Sequence, residues 1–149
     1  MMSEAPLGDV RSERLKYADD LARLINCPPS DARQCQPSRV FRFVHDLITD
    51  ERNFIPPAKL NPARKFKDDE ERCSAHALSM FISQPQAVSF FTGLKRRYPN
   101  IHKVLGANLS AGTLADTDGL ATTPDSRGHF DLLSPGRLTF PKHFVSFRR

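Results

Sequence analysis

Gly128-His129-Phe130-Asp131 is the short group whose residue types could most readily do chemistry in this 149-residue sequence. On a strand, His129 and Asp131 alternate onto one face, with Phe130 and Leu132 turned to the other. A histidine beside a carboxylate can be held in a defined tautomer and serve as a general acid or base. The plainer reading is the polar outer face of an edge strand, which the same alternation produces. Arg42 is the second candidate. It interrupts Val40-Phe41-Arg42-Phe43-Val44, a β-branched and aromatic run that follows Pro37-Ser38. Alternation alone turns Arg42 to solvent; the other reading sets it in the wall of a cleft. Ser79 and Ser83 flank Phe81 in a third segment. Neither has a neighbouring histidine in sequence to activate it, so a nucleophilic serine draws little support.

Other chemistries find fewer residues. The five histidines, at 45, 76, 102, 129 and 143, form no HxH or HExxH, so no metal is expected. There is no P-loop, GxGxxG or GxSxG. The three cysteines, Cys27, Cys35 and Cys73, are odd in number and carry no CxxC, which suggests reduced thiols and a cytoplasmic protein. The charged N-terminus does not read as a signal peptide, and no window approaches the roughly 18 apolar residues of a membrane span.

The formal net charge is +5, and it is clustered. Lys95, Arg96, Arg97 and Lys103 surround one expected helix end with no acid among them, and Arg137, Lys142, Arg148 and Arg149 load the last stretch. Such clusters raise encounter rates with polyanions. Cations that complement a helix dipole would give the same local pattern.

These residues must be positioned by short elements, since twelve prolines punctuate the chain. Residues 1–8 read as a flexible tail and 9–149 as one domain. Apolar spacing predicts a helix over 9–25, ended by Asn26 and Pro28-Pro29. Cys27 to Ser38 reads as a connector, residues 40–44 as a strand and 49–72 as a long irregular loop. Ala77 to Ile82 reads as a short buried strand. Ser83-Gln84-Pro85-Gln86 then forms a capping box, with Gln86 reaching back to the Ser83 N–H. It opens an amphipathic helix whose stripe is Ala87, Phe90, Phe91, Leu94 and Tyr98. Ile101 to Leu109 is expected as a strand and 110–128 as a loop. Residues 129–133 and 143–147 are expected as two strands joined by the turn Ser134-Pro135-Gly136-Arg137. The order suits an α+β fold with a mainly antiparallel, mixed sheet, an N-terminal helix and a central amphipathic helix.

The order of elements resembles that of ADP-ribosyltransferases. Those folds open with a strand carrying Arg or His, continue with an apolar strand that runs into a helix, and end with a strand bearing a catalytic Glu. Val40-Phe41-Arg42-Phe43-Val44 is similar to the first. Leu78 to Ser83 and the helix after it are similar to the second, and His129 to Leu133 with Phe144 to Phe147 to the terminal pair. The resemblance implies NAD as substrate and sets Arg42, Ser79, His129 and Asp131 round one cleft. The Ser-Thr-Ser pattern is absent, and Asp131 is the nearest acid where the Glu would stand. Three functions follow. The first is a bacterial-type, non-catalytic accessory protein that holds nucleic acid or an acidic protein on the face around Lys95, Arg96, Arg97 and Lys103. The second is an ADP-ribosyl-transferring or NAD-consuming enzyme. The third is a toxin-type ribonuclease using His129 or His45. Clustered charge without a complete site favours the first.

Overall fold

The computed structural model describes residues 15–136 and 144–147. Seven strands form one sheet: β1 (Arg33–Gln34), β2 (Ser38–Val44), β3 (Leu78–Phe81), β4 (Asn108–Leu114), β5 (Leu120–Ala121), β6 (His129–Leu133) and β7 (Phe144–Phe147). Their order is β1-β5-β6-β3-β2-β4-β7 and every pairing is antiparallel. With the helices described below, this is the α+β architecture that the order of elements implies.

The pairing is uneven. β2 runs beside β4 over seven positions, from Ser38↔Leu114 to Val44↔Asn108. β3 runs beside β6 over four, from Leu78↔Leu132 to Phe81↔His129. Between β2 and β3 a single pair, Phe41↔Phe81, holds the sheet together. Two well-stitched halves therefore meet at an open seam.

Apolar residues cover both faces. Val40, Leu78, Met80, Leu114, Phe130, Leu132 and Phe144 pack on one face. Phe41, Phe43, Phe81, Leu109 and Ala111 pack on the other, against Ala87 and Phe91 of the central helix α4 (Gln84–Arg97). Burial on both sides explains why β2 reads as a nearly continuous apolar run. The capping signal at Ser83 is realised: the Gln86 N–H donates to Ser83 Oγ at 3.3 Å. The reciprocal half differs, because Ser83 Oγ donates to Gln86 Oε1 at 2.8 Å instead of its N–H being capped. Tyr98 does not complete the buried stripe. It lies at the helix end, 53% exposed.

Several expected boundaries move. The first helix is short, α1 (Ala18–Ala22); the tail and the start of the expected helix lie outside the described residues. The 49–72 segment carries a 3-10 turn (Glu51–Phe54) and two helices, α2 (Pro57–Leu60) and α3 (Asp69–Ser74). Asp68 caps α3 by accepting from the Glu71 N–H at 2.9 Å. Ile101–Leu105 is a helix, α5, not a strand. Gly106 ends it at φ +93°, where a Cβ would strike the Val44 carbonyl. β4 occupies the first part of the expected 110–128 loop. Its Ser110, Ala111 and Gly112 resemble loop composition, yet their size fits a central strand squeezed between Phe-bearing β2 and β7. β6 and β7 are not a hairpin, because β7 pairs with β4 at the far edge. Residues 137–143, which include the end of the expected turn, His143, Arg137 and Lys142, lie outside the described residues, as do Arg148 and Arg149.

The expectation of three reduced thiols is also corrected. Cys27 and Cys73 form a disulfide that ties the segment after α1 to α3. Only Cys35 is free, and burial pushes its thiol up to about 12. Cysteine spacing could not reveal a bond spanning 46 residues. Opening so long a loop is expected to cost about 2–4 kcal/mol, so Cys73→Ser should lower the melting temperature by several degrees, and dithiol reduction should do the same to the wild type. Equal melting of oxidised and reduced protein would contradict this.

Candidate active site at the seam of the sheet

Past Phe41↔Phe81, β2 and β3 separate, and backbone groups on their facing edges lose their ladder partners. Arg42 fills the gap. Its Nη1 donates to the Ser79 carbonyl at 2.9 Å and its Nε to the Asn53 carbonyl at 2.8 Å. Arg42 thus lines a cleft and does not simply point to solvent, as alternation suggested. Burial pulls its guanidinium down to about 10, so it remains charged at neutral pH. Asn53 is itself buried. Its side chain accepts from the His45 N–H at 2.6 Å and donates to the Leu47 and Ile48 carbonyls, which fixes the loop after β2.

The opening is a pocket of about 240 Å³. Arg42, His45, Arg52 and Ser79 supply its polar wall, and Phe81, Phe90 and Leu94 its apolar wall. Burial and the Arg52 charge hold His45 below the ordinary histidine value. Arg52 is paired with Asp50 at 2.7 Å.

Ser79, His129 and Asp131 share the sheet face on this side. Register sets Ser79 opposite Asp131 and Phe81 opposite His129. His129 Nε2 lies 3.0 Å from Ser79 Oγ, so the activating histidine that sequence neighbours did not supply arrives from the next strand. The ring is stacked on Phe90, with centroids 5.7 Å apart and planes 9° from parallel. Phe81 meets it edge-on at 5.3 Å. Two carboxylates flank the imidazole: Asp131 Oδ1 is 3.8 Å from Nε2, and Asp125 Oδ2 is 3.9 Å from Nδ1. Both act through their fields, being too distant to hydrogen-bond. Burial pushes His129 below its ordinary value, opposed by Asp131 and Asp125. Burial raises Asp131, opposed chiefly by the Ser74 hydroxyl, which donates to Oδ2 at 2.8 Å.

Local sequence explains these placements. Asp125 Oδ1 accepts from the backbone N–H groups of Arg127 and His129, closing a tight turn with Gly128 at φ +74°. A Cβ at Gly128 would strike the Gln86 side chain, so glycine lets the turn seat against the first turn of α4. One turn further along α4, Phe90 then meets the His129 ring. Asp125 and Ser74 were not legible as site residues in the sequence, and Phe90 was legible only as part of the apolar stripe of α4. The D-x-R-G spacing of an Asx turn before His129 was the signal available for Asp125.

The structure therefore joins Arg42 to Ser79 at the seam between β2 and β3, and Ser79 to His129, with Asp131 beside it, between β3 and β6. Lys95, Arg96, Arg97 and Lys103 lie outside this group, exposed on α4 and α5, whose Leu94 and Leu105 line the pocket. Among the described residues, no group of three His, Cys, Asp or Glu side chains could hold a metal ion, and no helix is long and apolar enough to cross a membrane.

Arg42→Met strands the part-buried Asn53 carbonyl, leaves the Ser79 carbonyl to water, and should cost about 1–3 kcal/mol. Arg42→Lys cannot reproduce both bonds from one ammonium and should recover only part of that loss, read as urea midpoints. A methionine variant as stable as the wild type would refute the bracing role. Compared with protein-family models, curated proteins and solved structures, the chain finds no match in any of the three.

Proposed function

We propose that the chain is an NAD-consuming enzyme of ADP-ribosyl-transferring type, with His129 and Asp131 standing where such enzymes use a glutamate. The observation that supports it is a chain of contacts across three adjacent strands: Arg42 holds the Ser79 carbonyl, Ser79 Oγ meets His129, and Asp131 lies beside that imidazole, with Arg42 and Ser79 lining the pocket. The pocket suits a flat ring and ribose against Phe81 and Phe90, with Arg42 and Arg52 near enough to face a pyrophosphate. Breaking the bond from ribose C1′ to nicotinamide nitrogen sends the electron pair out with nicotinamide and leaves positive charge on the sugar. A preorganised acceptor and a nearby negative charge lower that barrier. Neutral His129 can accept a hydrogen bond from a ribose hydroxyl through Nε2, now shared with Ser79. Asp131 supplies the field.

A second reading, phosphodiester cleavage, draws on His45, which lines the same pocket as Arg42 and Arg52. The disulfide extends the proposal to a chain that folds in an oxidising compartment, in place of the cytoplasm suggested by cysteine count.

Calorimetric titration with NAD and an assay for released nicotinamide test the first reading. Wild type should bind NAD, Arg42→Ala should bind at least about tenfold more weakly, and Asp131→Asn should lose about 10²-fold in kcat with little change in KM. Wild-type protein that neither binds nor consumes NAD would overturn it, and RNA cleaved in its place would favour the second reading. The pH profile carries its own sign. With His129 held below 6.5, the neutral imidazole persists as pH falls past that value. The acid limb should therefore lie below pH 6.5 and shift in His129→Gln, where Asp131, raised by burial, leaves the remaining limb. A limb above 6.5 would contradict a desolvated His129.

A further inference from the structure

The pocket continues onto a cationic ridge. Lys95, Arg96 and Arg97 end α4 and Lys103 stands on α5, all exposed. From Leu94 to Ala107 the chain holds no acid. Helix dipoles would account for all four cations, since Lys103 too stands in the last turn of its helix, but not for the exposed ring among them. Tyr98 is 53% exposed, with the Arg97 guanidinium 5.6 Å from its centroid. Leu94, Val104 and Leu105, from the same two helices, line the pocket that also holds Arg42 and Arg52. The two helices that carry the cations and the exposed ring thus also form the apolar rim of the pocket in which Arg42 and Arg52 stand.

We infer that the acceptor of the transferred group is a single-stranded nucleic acid, laid along Lys95, Arg96, Arg97, Tyr98 and Lys103 with one base directed to the pocket. The inference rests on the NAD-consuming reading and names the acceptor for that site. Cations track the phosphates and the aromatic ring stacks a base without demanding sequence. An acidic protein would use the same cations; the flat ring set among them favours a strand, whose every base offers a face to stack. The transfer balances: the C1′–nicotinamide bond breaks, nicotinamide leaves with the pair, a nitrogen or oxygen of the base forms the new bond to C1′, and its proton passes to His129.

The test uses the whole chain and a labelled RNA or DNA single strand of about twelve nucleotides, within the span such surfaces cover. Anisotropy reads binding without NAD, nicotinamide release reads consumption without the strand, and gel shift with labelled NAD reads transfer. Expected are binding that weakens with salt at a log–log slope of about −2 to −3, and a transferred label on the strand. The charge reversal K95E/R96E/R97E should lose both while nicotinamide release without the strand is unchanged. Tyr98→Ala should weaken binding about tenfold or more while leaving the salt slope in place. Nicotinamide release with no strand bound or labelled would overturn the acceptor and leave the NAD reading standing. A strand bound with no NAD consumed would overturn the inference through its premise. Binding of polyglutamate as tight as that of the strand would overturn the choice of nucleic acid over acidic protein.

Discussion

The fork between β2 and β3 is held by the guanidinium of Arg42. An antiparallel sheet normally satisfies backbone groups by continuous pairing, and here continuity stops after one residue pair. Carbonyls left unpaired away from water cost about 1–3 kcal/mol each, a penalty heavier at the part-buried Asn53 than at the exposed Ser79. Arg42 answers two of them with one planar group, at Ser79 and Asn53. Arginine suits the place because its fork of donors is rigid and its charge survives partial burial. The seam can thus stay open. An open seam leaves a pocket where a closed sheet would have left packed side chains.

The histidine is built by a different kind of constraint. Its position follows from three short-range features: an aspartate that closes the 125–129 turn, a glycine that lets this turn touch Gln86, and a cap that fixes where α4 begins. Each is local, yet together they set Phe90 flat against the imidazole. The ring is desolvated on its apolar side and faces two carboxylates at its nitrogens. Burial keeps the imidazole neutral, beside acids that remain close without hydrogen-bonding it. The disulfide reaches the same site from the other side, because Cys73 precedes Ser74, whose hydroxyl holds Asp131. The stability of α3 and the orientation of Asp131 are therefore linked.

Much of this was legible in the sequence where a signal is local. The Ser83 cap and the apolar spacing after it mark α4, the β-branched and aromatic run marks β2, and the alternation at 129–132 sets His129 and Asp131 on one side and Phe130 and Leu132 on the other. The antiparallel α+β class follows from the order of these elements. Composition misled where packing overrides it. Ser110, Ala111 and Gly112 look like a loop but are small because β4 is sandwiched. Val104 and Leu105 look like a strand but sit on α5, ended by a glycine that must lie against Val44.

By itself, then, the sequence determined β2, β3, β6 and α4 and the shared face of His129 and Asp131, since helical and strand periodicities act over a few positions. Only the tertiary structure decided which residues meet. Ser79 and His129 are fifty positions apart and touch through strand register, while Cys27 and Cys73 are joined across 46. Arg42 became a brace and not a surface charge because β2 and β3 part company beside it. Register, seam and crossover depend on contacts between distant segments, and no local periodicity carries that information.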